Sequence, residues 1–157
     1  MKINKYKIFF FIFFNIFSIN FCFSINEIKI FSKKQIFDTN LERIIFNKDI
    51  TLEYKNILIK ANTIIIYKEK TKKKIIEGYG TPIIIKNLKK NNSFTSISCL
   101  KMKYYFFDKT IILSENVVLK QSKNVIFSDY AVFYLNENKI YTKSNPNKKV
   151  QTILNLE

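Results

Sequence analysis

The chain has 157 residues, 47% apolar and 25% charged: the length of one domain, with too much apolar content for disorder. It holds no histidine, which removes most catalytic triads and most zinc sites. The formal net charge is +15, but the Lys, Asn, Ile, Phe and Tyr that dominate the chain share A/T-rich codons, so basicity alone argues weakly for any partner.

Met1 to Ser24 reads as a signal peptide. Lys2, Lys5 and Lys7 form a positive start, Ile8 to Phe17 an apolar core, and Cys22-Phe23-Ser24 a cleavage site with small residues where the peptidase reads. Cleavage after Ser24 is expected. The alternative is a retained anchor, although Ile8 to Phe23 falls short of the roughly 20 residues a spanning helix needs. Loss of the leader lowers the charge to +12 and leaves Cys99 as the lone cysteine, so no internal disulfide can form. Stability must come from a packed core.

From Asn26 onward the chain reads as all-β, a domain over 25–157. Short runs of Ile, Val, Phe, Tyr and Thr recur, broken by turn residues. Arg43 to Phe46, Ile50 to Tyr54, Ile57 to Ile59, Thr63 to Lys68 and Pro82 to Lys86 come first. Met102 to Phe107, Thr110 to Leu113, Val117 to Lys120, Val125 to Phe127 and Ala131 to Leu135 follow. Residues 44–67 also align without gaps to residues 111–134, matching apolar positions (Ile50 with Val117, Leu52 with Leu119) and polar ones (Asn47 with Ser114, Asp49 with Asn116, Asn62 with Asp129). Units of this kind bury their apolar faces on one another and leave open sheet edges at the ends. The expected edges are Ile28 to Phe31 and Val150 to Leu154.

One place is irregular. Glu77-Gly78-Tyr79-Gly80-Thr81-Pro82 holds both glycines and one of two prolines. Gly78, Gly80 and Pro82 are read as a structural turn that needs positive φ or close strand approach. No phosphate-loop pattern follows it.

Here the sequence resembles a known family. Ile75 to Pro82 is similar to the E/D-G-Y-G-x-P segment of the OstA-like (LptA) family of periplasmic lipopolysaccharide-transport proteins. The likeness continues through Cys99 to Tyr104, Ile111 to Asn116, Ser128-Asp129 and Lys148 to Thr152, with Ile28 to Ile30 and Ala61-Asn62 upstream. Lys48-Asp49 and Glu115-Asn116 stand where the family has Gly-Asn, which puts those turn types in question. The resemblance implies a slightly open, V-shaped β-jellyroll of about sixteen antiparallel strands. It implies no catalysis and no cofactor. The implied role is to bridge the inner and outer membranes and carry lipopolysaccharide outward. The implied partners are the lipid A of lipopolysaccharide, an LptC-like inner-membrane protein at the N-terminal edge, an LptD-like outer-membrane protein at the C-terminal edge, and further copies head to tail. The nearest alternative is an LptC-like protein that keeps its N-terminal helix.

Ile28, Ile30, Ile85, Tyr104 and Phe106 fall where the family contacts lipid. Within Ile28/Ile30 and Tyr104/Phe106 the spacing of two puts both members on one side of a strand, which a packed core would satisfy equally. Phe37, Phe46 and Leu113 read as plain core. Lys72-Lys73-Lys74 and Lys148-Lys149 are candidates for meeting lipid A phosphates. Nucleic acid is not an expected partner, although Lys and aromatics alternate in Lys101 to Phe107. Hydrolysis would need a carboxylate pair such as Glu53 with Asp129, and nothing in their spacing singles them out.

Overall fold

A computed structural model describes residues 27–54, 56–69, 73–87, 96–137 and 139–156. The expected signal peptide and its cleavage site lie outside the described residues, as does Lys72. The rest forms ten strands: β1 (Ile28–Phe31), β2 (Lys34–Asp38), β3 (Arg43–Tyr54), β4 (Ile57–Lys68), β5 (Lys74–Asn87), β6 (Ser96–Tyr105), β7 (Thr110–Gln121), β8 (Asn124–Tyr134), β9 (Lys139–Lys143) and β10 (Gln151–Ile153). Every pairing is antiparallel, and the described residues contain no helix. The family's all-β architecture is present.

Several runs that read as separate strands are halves of one long strand. Arg43 to Phe46 and Ile50 to Tyr54 both belong to β3, and Thr110 to Leu113 and Val117 to Lys120 both belong to β7. The residues between them bend the strand without ending it. Lys48 and Asp49 have φ of 66° and 49°, and their repeat partners Glu115 and Asn116 have 66° and 54°. Two left-handed residues in succession add unpaired length to one strand of a ladder, so the register shifts and the strand turns sharply. Asp and Asn tolerate this conformation; Lys48 and Glu115 take it up in place of glycine, at about 1–2 kcal/mol each. The left-handed bends therefore survive the loss of glycine.

The repeat extends to the polar residues. Asn62 Oδ1 accepts a hydrogen bond from the Thr81 amide at 2.9 Å, and its partner Asp129 accepts one through Oδ2 from the Asn145 amide at 2.9 Å. In each repeat the side chain at the bend thus satisfies a backbone N–H beyond the regular ladder.

Register shifts occur in every ladder from β3 to β8 and follow a line across the sheet. Each of these strands crosses from one face to another. One face comprises β1, the segments 50–54, 57–61, 83–87, 96–99, 117–121 and 124–128, and β10. The other comprises β2, the segments 43–47, 63–68, 74–79, 101–105, 110–114 and 130–134, and β9. Six bent strands and four short ones thus make the sixteen straight segments expected.

The core lies between the faces. Phe46, Ile64, Met102, Leu113 and Ala131 of one face pack with Ile50, Leu52, Ile83, Cys99, Val117 and Leu119 of the other. Phe46 and Leu113 are core as expected, but Phe37 is 67% exposed. It lies on β2, an edge strand whose described pairing is to β3 alone, so much of its ring has nothing to pack against.

Gly78, Gly80 and Pro82 do not reverse the chain; they sit inside β5, at its register shift between Tyr79 and Ile83. Neither glycine has positive φ, and the Thr81–Pro82 bond is cis. Close approach is what both positions require. A Cβ on Gly80 would lie 2.7 Å from the Ile83 nitrogen and 2.9 Å from the Pro82 carbonyl carbon; one on Gly78 would meet the flexible tip of Met102 at 3.2 Å.

Candidate functional site

Away from the bends the two faces stop filling the space between them. Inward positions on β4, β5 and β6 fall into rows set by the register. Ile64, Gly78 and Met102 form the row nearest the bends, and Ile66, Ile76 and Tyr104 the next. Lys68 pairs with Lys74 in the outermost row, and Phe106 lies beside them, its backbone N–H donating a hydrogen bond to the Lys74 carbonyl at 3.3 Å. Burial falls along the same path: Ile64 is 0% exposed, Ile76 3%, and Tyr104 and Phe106 are partly open.

Two connected openings result. One is a narrow, wholly apolar slot lined by residues of both faces, among them Ile28, Leu52, Tyr54, Ile57, Tyr104 and Leu135. The other is a wider groove of about 550 Å³ at the N-terminal edge, with Ile28, Ile30, Phe46, Ile66, Ile76 and Phe106 as its apolar part and Gln35, Glu42, Tyr67, Lys68 and Lys74 as its polar part. Ile28 and Ile76 line both. Its volume is in the range of small-molecule sites.

The aromatic rings help to hold the mouth apart. Tyr54 on one face meets Phe106 on the other edge-on, centroids 6.3 Å apart, and Tyr104 stacks obliquely on Phe106 at 4.6 Å. Large rigid rings keep their spacing where smaller side chains would collapse.

Four of the five expected site residues, Ile28, Ile30, Tyr104 and Phe106, come together at this mouth. Ile85 does not. It lies on the other side of the bend in β5, 6% exposed, within the closed core and opposite Ile59 and Ile97. The sequence reading also missed Tyr54, Ile57, Ile76 and Leu135. A signal for Ile76 was present, since it pairs with Tyr104 in the ladder, but register is readable only once the bends are known.

Of the basic run Lys72-Lys73-Lys74, Lys73 turns to Asp108 at 3.4 Å and lies over the Phe107 ring, whereas Lys74 lines the groove. Lys148 pairs with Asp129 at 3.3 Å, on the opposite edge. The hydrogen bond from the Asn145 amide, with that lysine, holds the Asp129 carboxyl below its usual range.

Outside the mouth, Glu77 ties β4, β5 and β6 together. It accepts from Tyr67 Oη at 2.7 Å, Tyr79 Oη at 3.1 Å and Lys103 Nζ at 3.0 Å. Burial pushes this carboxyl up, but those three donors outweigh it and hold it below the usual range. Cys99 is fully buried, and burial pushes its thiol up to about 12, so it stays protonated and unreactive. Among the described residues no group of three or more His, Cys, Asp or Glu could hold a metal. Asp129, on β8, is engaged with Asn145 and Lys148, while Glu53 lies on β3, with four strands between the two in the sheet order.

Comparisons with known proteins agree with this geometry. Residues 29–139 match the family model described as LptA/(LptD N-terminal domain) LPS transport protein. The chain is 25% identical over 130 residues to the lipopolysaccharide export system protein LptA of Haemophilus influenzae, covering 81% of this chain and 76% of that one. It is 24% identical over 129 residues to LptA of Escherichia coli K12, covering 81% and 70%. Among solved structures it resembles Pseudomonas aeruginosa LptH, described as the LptA-homologous periplasmic component of the lipopolysaccharide transport device. That match has a TM-score of 0.71 at 11% identity, over 83% of this chain and 96% of that one, and it speaks to the fold. A sheet bent along one line, an unsealed apolar mouth and a family match over most of the chain lead to one assignment: this chain belongs to the LptA/(LptD N-terminal domain) family of lipopolysaccharide transport proteins.

Proposed function

We propose that this chain is a periplasmic carrier unit that shelters the acyl chains of lipopolysaccharide between its two faces and passes them from an inner-membrane neighbour to an outer-membrane one. The observation that carries the reading is the mouth, where apolar side chains of both faces surround space that the protein itself leaves unfilled. Burying one CH₂ is worth about 0.8 kcal/mol, so an acyl chain of a dozen carbons gains roughly 10 kcal/mol by leaving water. Such a chain needs an apolar interior that is not already full.

The edges support the second half of the proposal. β1 and β2 at the N-terminal side, and β9 and β10 at the C-terminal side, each pair with one strand among the described residues. Their free N–H and C=O groups can extend the sheet into a neighbour. Exposed Phe31 and Phe37 at the first edge, and Ile153 and Leu154 at the second, offer apolar surface to such a neighbour. In this reading an LptC-like jellyroll joins the first edge, an LptD-like jellyroll the second, and copies of the chain can stack head to tail. A leader cleaved after Ser24 delivers the domain 25–157 to the periplasm. The chain carries out no reaction itself.

Photo-crosslinking tests the groove. A benzophenone side chain at Ile28 or Tyr104 should capture lipopolysaccharide in cells, and one at Lys101, on the outer surface, should not. Equal capture at all three positions would contradict a groove-borne cargo.

A further inference from the structure

The outermost inward row holds two lysines where the row above it holds two isoleucines in the same strands. Lys68 and Lys74 are Cα partners in the β4–β5 ladder, in register with the Ile66–Ile76 pair one step deeper. Like charges directly opposite one another on a sheet destabilise it. Neither lysine has a carboxylate partner among the described residues, and Lys74 instead lies 6.0 Å from the Phe106 ring centroid. The contrast with Lys73 is local: one residue earlier, that side chain turns to Asp108. The third charged group lining the groove is Glu42, on the connection between β2 and β3.

We propose that Lys68 and Lys74 form a site for the phosphate of an acylated, phosphorylated amphiphile whose chains lie deeper, against Ile66, Ile76 and Tyr104. An anion between the two ammonium groups turns their repulsion into charge-assisted hydrogen bonds. Their apolar stems continue the wall of the groove, so the same side chains serve tail and headgroup. The order of the rows, apolar within and cationic at the rim, matches the order of groups in such a molecule. Glu42 precedes Arg43, the partner of Tyr67, so it stands at the rim beside Lys68 and repels an anion there, which directs the phosphate to the Lys74 side. This inference rests on the reading that the groove takes acyl chains.

The test compares three probes on the purified protein: bisphosphorylated lipid A, the same lipid A with its phosphates removed, and inorganic phosphate. Wild type should bind the phosphorylated lipid at least tenfold more tightly than the dephosphorylated one. K68Q/K74Q should bring that ratio near one, leave affinity for the dephosphorylated lipid within about twofold, and unfold at the same or a higher temperature. K68R/K74R should keep the ratio. A ratio near one in wild type, or an unchanged ratio in K68Q/K74Q, overturns the phosphate site and leaves the carrier function standing. Inorganic phosphate binding as tightly as the lipid overturns the lipid headgroup in favour of a free-phosphate site. Failure of wild type to bind either lipid overturns both readings.

Discussion

The interior beside the bends and the interior at the mouth are lined by much the same residue types, yet they behave differently. Near the bends, Ile64, Ile83, Cys99, Leu113 and Ala131 are sealed to within 1% exposure. At the mouth, Ile28, Ile30, Tyr104 and Phe106 pack against that core while remaining partly open. Hydrophobicity does not separate the sealed interior from the open mouth in this fold. Position in the sheet does: Ile30 shares a row with Leu52, Ile59 and Ile85, but it ends that row on the edge strand β1, whereas the buried three have a strand on either side.

Substitutions sharpen the contrast. Leu113→Ala or Ile64→Ala removes a sealed side chain and should cost about 2–5 kcal/mol in chemical denaturation, with lipid binding lost only as the fold is lost. Gly80→Ala drives a methyl into the backbone of Pro82 and Ile83 and should cost about 1–3 kcal/mol; Gly78→Ala should cost less, because the tip of Met102 can swing aside. Equal losses at the two glycines would mean that close packing at this bulge is not what the glycines supply. Ile28→Ala at the open end should cost only about 1 kcal/mol of stability, in keeping with partial burial on an edge strand, and should weaken lipid A binding by more than it weakens the fold.

The smallest effect separates the two repeats. Asn62 and Asp129 hold equivalent backbone amides, but only Asp129 titrates. Its folded carboxyl lies below the unfolded value, so its contribution is fully present above about pH 4 and is lost as pH falls through the depressed folded value. The stability lost in Asp129→Ala should therefore shrink on acidification, while that lost in Asn62→Ala stays constant, both read from thermal unfolding across pH. Parallel pH profiles would show that Asp129 works without its charge.

Much of this arrangement was legible in the sequence. The alternation of apolar residues gave the strands, and the match of 44–67 with 111–134 gave paired bends whose backbone angles agree within a few degrees. The bends themselves read as chain breaks, since Lys48-Asp49 and Glu115-Asn116 look like turn residues whether or not the strand continues beyond them. That misreading hid the register, and with it Ile76, Lys68 and the pairing of Lys68 with Lys74. Ile85 and Phe37 show the same limit from opposite sides: one sits in a sealed core although it was expected at lipid, the other lies exposed although it was expected in the core. Both are apolar residues in strands; their surroundings follow from how far they lie from an edge of the sheet, since Ile85 has a strand on either side and Phe37 lies on an edge strand.

The central claim is that the space between the two faces at the mouth takes lipid. Tyr104→Asp places a charge there while leaving the sealed rows intact. Native mass spectrometry with lipid A, alongside a thermal unfolding curve, tests it directly. The account predicts a folded variant that binds lipid A at least tenfold more weakly than wild type. A folded variant that binds as wild type does would contradict it.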